Sequence, residues 1–206
     1  HVTVAFIPWN HWRTRDHDAA LFREYSDVVS VCVHGNDHTK AEFYSENERD
    51  LAARVDEALK RMESHRERTG IAYEPLMVWP QERYSVQALR AVSASRAFLG
   101  VVNARCIPDD PTAAGQVRAA DLLLPAQDSW FGIPILKRYC EAQGIANFAL
   151  ALFLGRPAIL AEHHEYFRAG TDRMERFAAE IRRISPKARW APLSETLTRL
   201  CWQRRI

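Results

Sequence analysis

Val28-Val29-Ser30-Val31-Cys32-Val33-His34-Gly35-Asn36-Asp37-His38 is the stretch that decides how this chain folds. Val28–Val33 is almost wholly β-branched or apolar. It reads as a strand covered on both faces, as in a parallel sheet flanked by helices. Gly35 and Asn36 supply turn chemistry directly after it. His34 and His38, four residues apart where the strand ends, can converge on one metal ion, because imidazole is the commonest metal-ligating side chain near neutral pH. A catalytic zinc takes three protein ligands and keeps one position open, so the motif offers two of the three. The plainer reading is a pair of surface histidines in a turn. Asp37 reads as a further ligand, as a carboxylate holding one imidazole, or as an exposed turn residue.

On either side, short β-rich runs alternate with longer amphipathic stretches, the signature of βα units and a mainly parallel sheet, open or closed. Strands are expected at Val2–Ile7, Val28–Val33, Leu76–Trp79, Phe98–Asn103, Asp121–Leu124, around Phe148–Phe153 and at Ala158–Ala161. The clearest helix runs from Glu46 to Arg68, where Leu51, Val55, Leu59 and Met62 recur at helical spacing and Gly70 stops the run. Further helices are expected at Asp16–Tyr25, Ser85–Ser95, Ile135–Gln143, Thr171–Ile184 and Leu193–Trp202. Arg105 to Gly115, with Pro108-Asp109-Asp110-Pro111, reads as a loop. There is no internal repeat.

Ligands of such sheets bind beyond the carboxyl ends of the strands. Polar, aromatic and histidine residues collect at those ends: Pro8-Trp9-Asn10-His11-Trp12, His34 to His38, Pro80-Gln81-Glu82-Arg83-Tyr84, Asn103, Asp128-Ser129-Trp130 and Glu162-His163-His164-Glu165. His163 or His164 reads as a general acid or a third metal ligand, against the plainer reading of a helix-start cluster solvated by Glu162 and Glu165. Trp9, Trp12, Trp79 and Trp130 stack on sugar rings or belong to the core. Asn10, His11 and Arg83 are candidates to orient a substrate. Glu42 and Phe43 close the histidine loop.

The 206 residues suffice for one domain with a substantial core, and 47% hydrophobic with 26% charged residues is an ordinary globular composition. A net charge of +2 and scattered arginines argue against a nucleic-acid partner. The longest apolar run, near Phe148 to Leu154, is about a third of a membrane span. The four cysteines, Cys32, Cys106, Cys140 and Cys201, form no C-x-x-C pair and read as buried thiols. The chain opens inside a strand and closes inside a periodic stretch, so a fragment cut at both ends is expected. Oligomeric state and compartment stay open.

These residues together resemble the polysaccharide deacetylase (NodB-like) superfamily, in an outlying branch. The likeness rests on Val4-Ala5-Phe6-Ile7-Pro8-Trp9-Asn10, on Cys32-Val33-His34-Gly35-Asn36-Asp37-His38-Thr39, and on Met77-Val78-Trp79-Pro80-Gln81. It continues through Leu152 to Phe167 and into Arg189-Trp190-Ala191-Pro192-Leu193, in order over most of the chain. Only His-x-x-x-His is specific enough to carry a role.

The resemblance implies a single domain over 1–206, a distorted, partly open (β/α) barrel, and a metal-dependent amide or ester hydrolase. Its substrate would be an N- or O-acetylated glycan or other acetylated small molecule. In the family a divalent metal, usually zinc, is held by an aspartate and two histidines, which map onto His34 and His38. A second aspartate is the general base, and a late histidine, here His163 or His164, is the general acid. The family's aspartate pair lies on a strand ahead of Val2–Ile7, so that strand is expected to be missing here. Asp16 and Asp18 fall in the next helix, and Asn10 cannot act as a base. The sequence also departs in having His-His-Glu where many members have His-Asp, and Arg83 fits the family's arginine motif only loosely. A non-catalytic carbohydrate-binding module and a metal-dependent hydrolase of another substrate class are the alternatives.

Overall fold

The computed structural model describes residues 1–110 and 127–203. Strands and helices first alternate as β1 (Val2–Phe6), α1 (Asp16–Glu24), β2 (Val29–His34), α2 (Glu48–Thr69), β3 (Tyr73–Val78), α3 (Val86–Ser95) and β4 (Gly100–Asn103). Then follow β5 (Gln127–Trp130), β6 (Ile133–Tyr139), α4 (Ile145–Phe153), β7 (Ile159–Leu160), α5 (Asp172–Ile184) and α6 (Leu193–Gln203). The sheet order is β1-β2-β3-β4-β6-β5, with β7 also paired to β6. Among the described residues only β5 runs antiparallel; the other six strands are parallel. The parallel strands advance in one direction and the order never reverses. A doubly wound sheet reverses at a switch point, whereas a barrel advances. The six parallel strands accordingly curl into a half-barrel, an α/β architecture compatible with a partly open (β/α) barrel.

The pleat sorts the side chains between two layers. Val31, Val33, Met77, Trp79, Val101 and Ile135 face outward onto α2 and α3, which add Leu51, Val55, Met62 and Leu89. Cys32, Leu76, Val78, Val102 and Leu136 face the concave side, where α6 lays Leu197 and Leu200 against them. The approach is close at Gly100, where a Cβ would stand 2.5 Å from Leu197 Cδ2. Glu74, 7% exposed, ties the start of α6 to the sheet. Its Oε1 accepts Thr3 Oγ1 at 2.8 Å and the Ser30 hydroxyl, and its Oε2 accepts the Ser194 N–H at 2.6 Å.

Helix α2 starts and stops as its sequence demands. The Asn47 side chain accepts the N–H groups of Arg49 and Asp50, and Gly70 ends the helix at φ +71. Two expectations are overturned. Ile135–Gln143, read as a helix, contributes the strand β6, and the Phe148–Phe153 run, read as a strand, is the helix α4. Short apolar runs cannot be assigned by periodicity alone. The Ala- and Leu-rich run follows helix propensity, and Gly144 at φ +86 separates the two elements. The strand expected at Asp121–Leu124 lies outside the described residues, as does the loop beyond Asp110.

Candidate functional site

Strand β2 brings His34 to the C-terminal end of the sheet on the concave side, two residues beyond Cys32. Its Nδ1 lies 3.0 Å from the Val78 carbonyl at the end of β3. A carbonyl only accepts, so Nδ1 carries the proton and Nε2 keeps its lone pair. Burial pushes the His34 pKa down to about 4 against that hydrogen bond, and the charges of His38, Arg138 and His163 act in the same direction as burial. A neutral imidazole of fixed tautomer is the metal-ligating form. The His38 ring meets it edge-on, with centroids 4.9 Å apart and planes at 63°.

The turn joining the two histidines is built on Gly35 and Glu42. Gly35 adopts φ +62, and a Cβ there would fall 2.2 Å from Glu42 Oε1 and 2.2 Å from Pro80 Cγ. The Glu42 carboxylate is 5% exposed. Its Oε1 accepts the backbone N–H groups of Asn36 at 3.0 Å and His38 at 3.1 Å, and its Oε2 accepts that of Asp37 at 3.1 Å. Burial pushes its pKa up to about 7 against these bonds. His38 itself sits at φ +60, a conformation a non-glycine residue keeps only where its surroundings hold it. Glu42 provides that hold, so its part is larger than closing the loop.

Asn36 extends the framework to the 3-10 turn Pro8–Asn10 that follows β1. Its carbonyl accepts the Trp9 N–H at 2.8 Å, and its Oδ1 accepts Arg61 Nη1 at 2.7 Å. Asp37 is engaged in the turn: its Oδ1 accepts Thr39 N at 2.9 Å and Thr39 Oγ1 at 2.7 Å. Burial works against its charge, but the bonds from Thr39 prevail and hold the carboxyl below its ordinary value.

The remaining strand ends separate into rim and core. Trp79 is fully buried, stacked on Tyr84 at 5.2 Å and packed on Phe43 at 5.0 Å. Its faces are covered by protein, which corrects its assignment to substrate stacking. Gln81 and Glu82 both adopt left-handed backbone, at φ +54 and +61. The Glu82 carbonyl is held by Asn103 Nδ2 at 3.1 Å. Arg83 lies over the Tyr44 ring at 4.4 Å and pairs with Asp109 at 3.4 Å. Trp9 remains 50% exposed, with the Arg61 guanidinium 4.7 Å from its ring centroid. Asn10 lines a cleft toward α1 with Phe6, Arg13, Thr14 and Phe22, a lining that includes neither His34 nor His38.

The late histidines part company. His163 precedes the 3-10 turn His164–Phe167, close enough for its charge to act on His34. His164 is 82% exposed and pairs with Glu165 at 3.0 Å. The backbone of Trp130 pairs with Ile133, at the start of β6. That is the end remote from the rim, roughly 16 Å along the strand at 3.3 Å per residue, so Trp130 is not at the histidine mouth. The Trp130 side chain lies outside the described residues.

Arg138, at the end of β6, belongs to the mouth and was missed. Its side chain is 16% exposed and pairs with Glu82 at 3.5 Å. Reading Ile133–Tyr139 as a strand would have found it, because a charged residue then falls at the carboxyl end of an apolar run.

His34 and His38 suit two positions of a zinc or similar divalent ion. Among the described residues no group of three or more His, Cys, Asp or Glu is placed to hold one. No described helix is long and apolar enough to cross a membrane. No protein-family model matches the sequence, and no curated protein matches it.

Proposed function

We propose that the site belongs to a metal-dependent hydrolase of the polysaccharide deacetylase (NodB-like) kind, removing acetyl groups from an N- or O-acetylated glycan. The observation carrying this reading is His34: neutral, fixed through Nδ1 to Val78, and edge-on to His38 at 4.9 Å at the mouth of a half-barrel. His34 and His38 would hold the ion, zinc in this reading. When bound, such an ion lowers the pKa of water and polarises an acyl carbonyl. In this reading His163 gives a proton to the departing amine or alcohol, and Trp9, half-exposed, stacks on a sugar face.

Zinc content of the purified full chain, with acetate release from acetylated oligosaccharides, tests the reading. We expect bound zinc in the wild type and an affinity at least about tenfold weaker in His34→Ala and His38→Ala. Zinc uptake indifferent to both substitutions would overturn it. A second reading, a non-catalytic carbohydrate-binding module, draws on Trp9 and Trp12, 50% and 59% exposed on one turn. It requires that Trp9→Ala abolish glycan binding while His34→Ala leaves binding intact.

A further inference from the structure

We propose that Arg138 anchors a carboxylate of the ligand, so that the substrate is an acidic acylated sugar; this rests on the glycan-deacetylating reading of the mouth. Arg138 stands two residues beyond Leu136, and His34 two beyond Cys32. Leu136 and Cys32 pack in one concave cluster, so both side chains rise from the same face at the same end of the sheet. A ligand held by Arg138 therefore sits on the same concave face and at the same sheet end as the histidine pair.

The side chain is 16% exposed and, among the described residues, its guanidinium is under-used. It has five N–H donors. Among the described residues one ion pair faces it, from Nη2 to Glu82 Oε1 at 3.5 Å, longer than a good hydrogen bond. Its Nε is buried with no hydrogen-bond partner among the described residues. Burial accordingly weakens its hold on the proton. Glu82 is poorly placed to close the gap, because its backbone is held at φ +61 with its carbonyl on Asn103. A buried charge with so little compensation is unfavourable until an anion completes it. The planar fork matches a carboxylate with two parallel bonds. A phosphate dianion would set more negative charge beside Glu82, which disfavours it relative to a monoanion.

Binding to the full chain tests this without reference to hydrolysis. The probes are two matched pairs, N-acetylmuramic acid with N-acetylglucosamine, and glucuronate with glucose, each pair contrasting a carboxylate-bearing sugar with a neutral one. We expect the acid of at least one pair to bind about tenfold tighter in calorimetry. Arg138→Gln should erase that preference while leaving the neutral sugar's affinity in place. Glu82→Gln, which removes the internal competitor, should strengthen acid binding several-fold, and it carries the test if Arg138→Gln fails to fold. No acid preference in either pair, including no binding at all, overturns the inference. So does a preference that survives Arg138→Gln, or one that Glu82→Gln leaves unchanged. Failure of the hydrolase reading looks different: no zinc and no acetate release, with the acid preference intact.

Discussion

Gly35 is where sequence, backbone and site meet. Its positive φ and the 2.2 Å approach to both Glu42 and Pro80 leave no room for a side chain. Gly35→Ala should destabilise the fold by about 2–4 kcal/mol, combining left-handed strain with overpacking. Urea unfolding measures this, and a loss within about 0.5 kcal/mol, ordinary for a surface substitution, would show that the turn relaxes freely. If the proposed metal site holds zinc, its affinity should fall with it, since the displaced carboxylate is the group holding His38. His34, Gly35 and His38 were legible in the sequence because turn chemistry is local. Glu42 was legible only as a residue closing the loop, because its three bonds to backbone N–H groups exist only once the turn has folded around it. Trp79 shows the reverse: an aromatic at a strand end has two sides to choose from, and tertiary packing chose the core.

Among the elements, α2 shows how an amphipathic pattern carries a titratable group inward. His65 lies on its buried stripe, 2% exposed. Its Nε2 is 2.9 Å from Thr14 Oγ1, and its ring centroid is 4.5 Å from that of Phe6. Burial, then the charges of Arg68 and His11, lower its pKa from 6.5 to about 4. The unfolded chain thus takes up this proton at higher pH than the folded one. The stability this group contributes is complete above pH 6.5 and is lost as pH falls toward 4, by up to about 3 kcal/mol. His65→Gln, which can retain a bond to Thr14, should flatten the pH dependence of unfolding across that window. An unchanged slope would place the acid sensitivity elsewhere. The helix limits were legible from Asn47 and Gly70, whereas β6 and α4 were exchanged because short apolar runs lack a decisive period. That exchange concealed Arg138.

For the whole molecule, the decisive contact is the seating of α6 on the concave face. Nothing in its sequence says which face it covers; Gly100, Leu197 and Glu74 together settle it. Glu74→Ala would remove the acceptor shared by the Thr3 and Ser30 hydroxyls and the Ser194 N–H, at about 1–3 kcal/mol. Limited proteolysis should then cut ahead of Leu193 faster than in the wild type, and equal rates would show that the apolar contacts seat α6 unaided. The sequence by itself determined the alternation of βα units, the limits of α2 and the delivery of His34 and His38 to a strand end, since each depends on neighbours a few residues away. Tertiary structure alone decided that the strands advance into a half-barrel, that His163 rather than His164 stands near His34, and that Arg138 joins them. Those outcomes depend on which face each distant strand presents, and a one-residue change of register would reverse them.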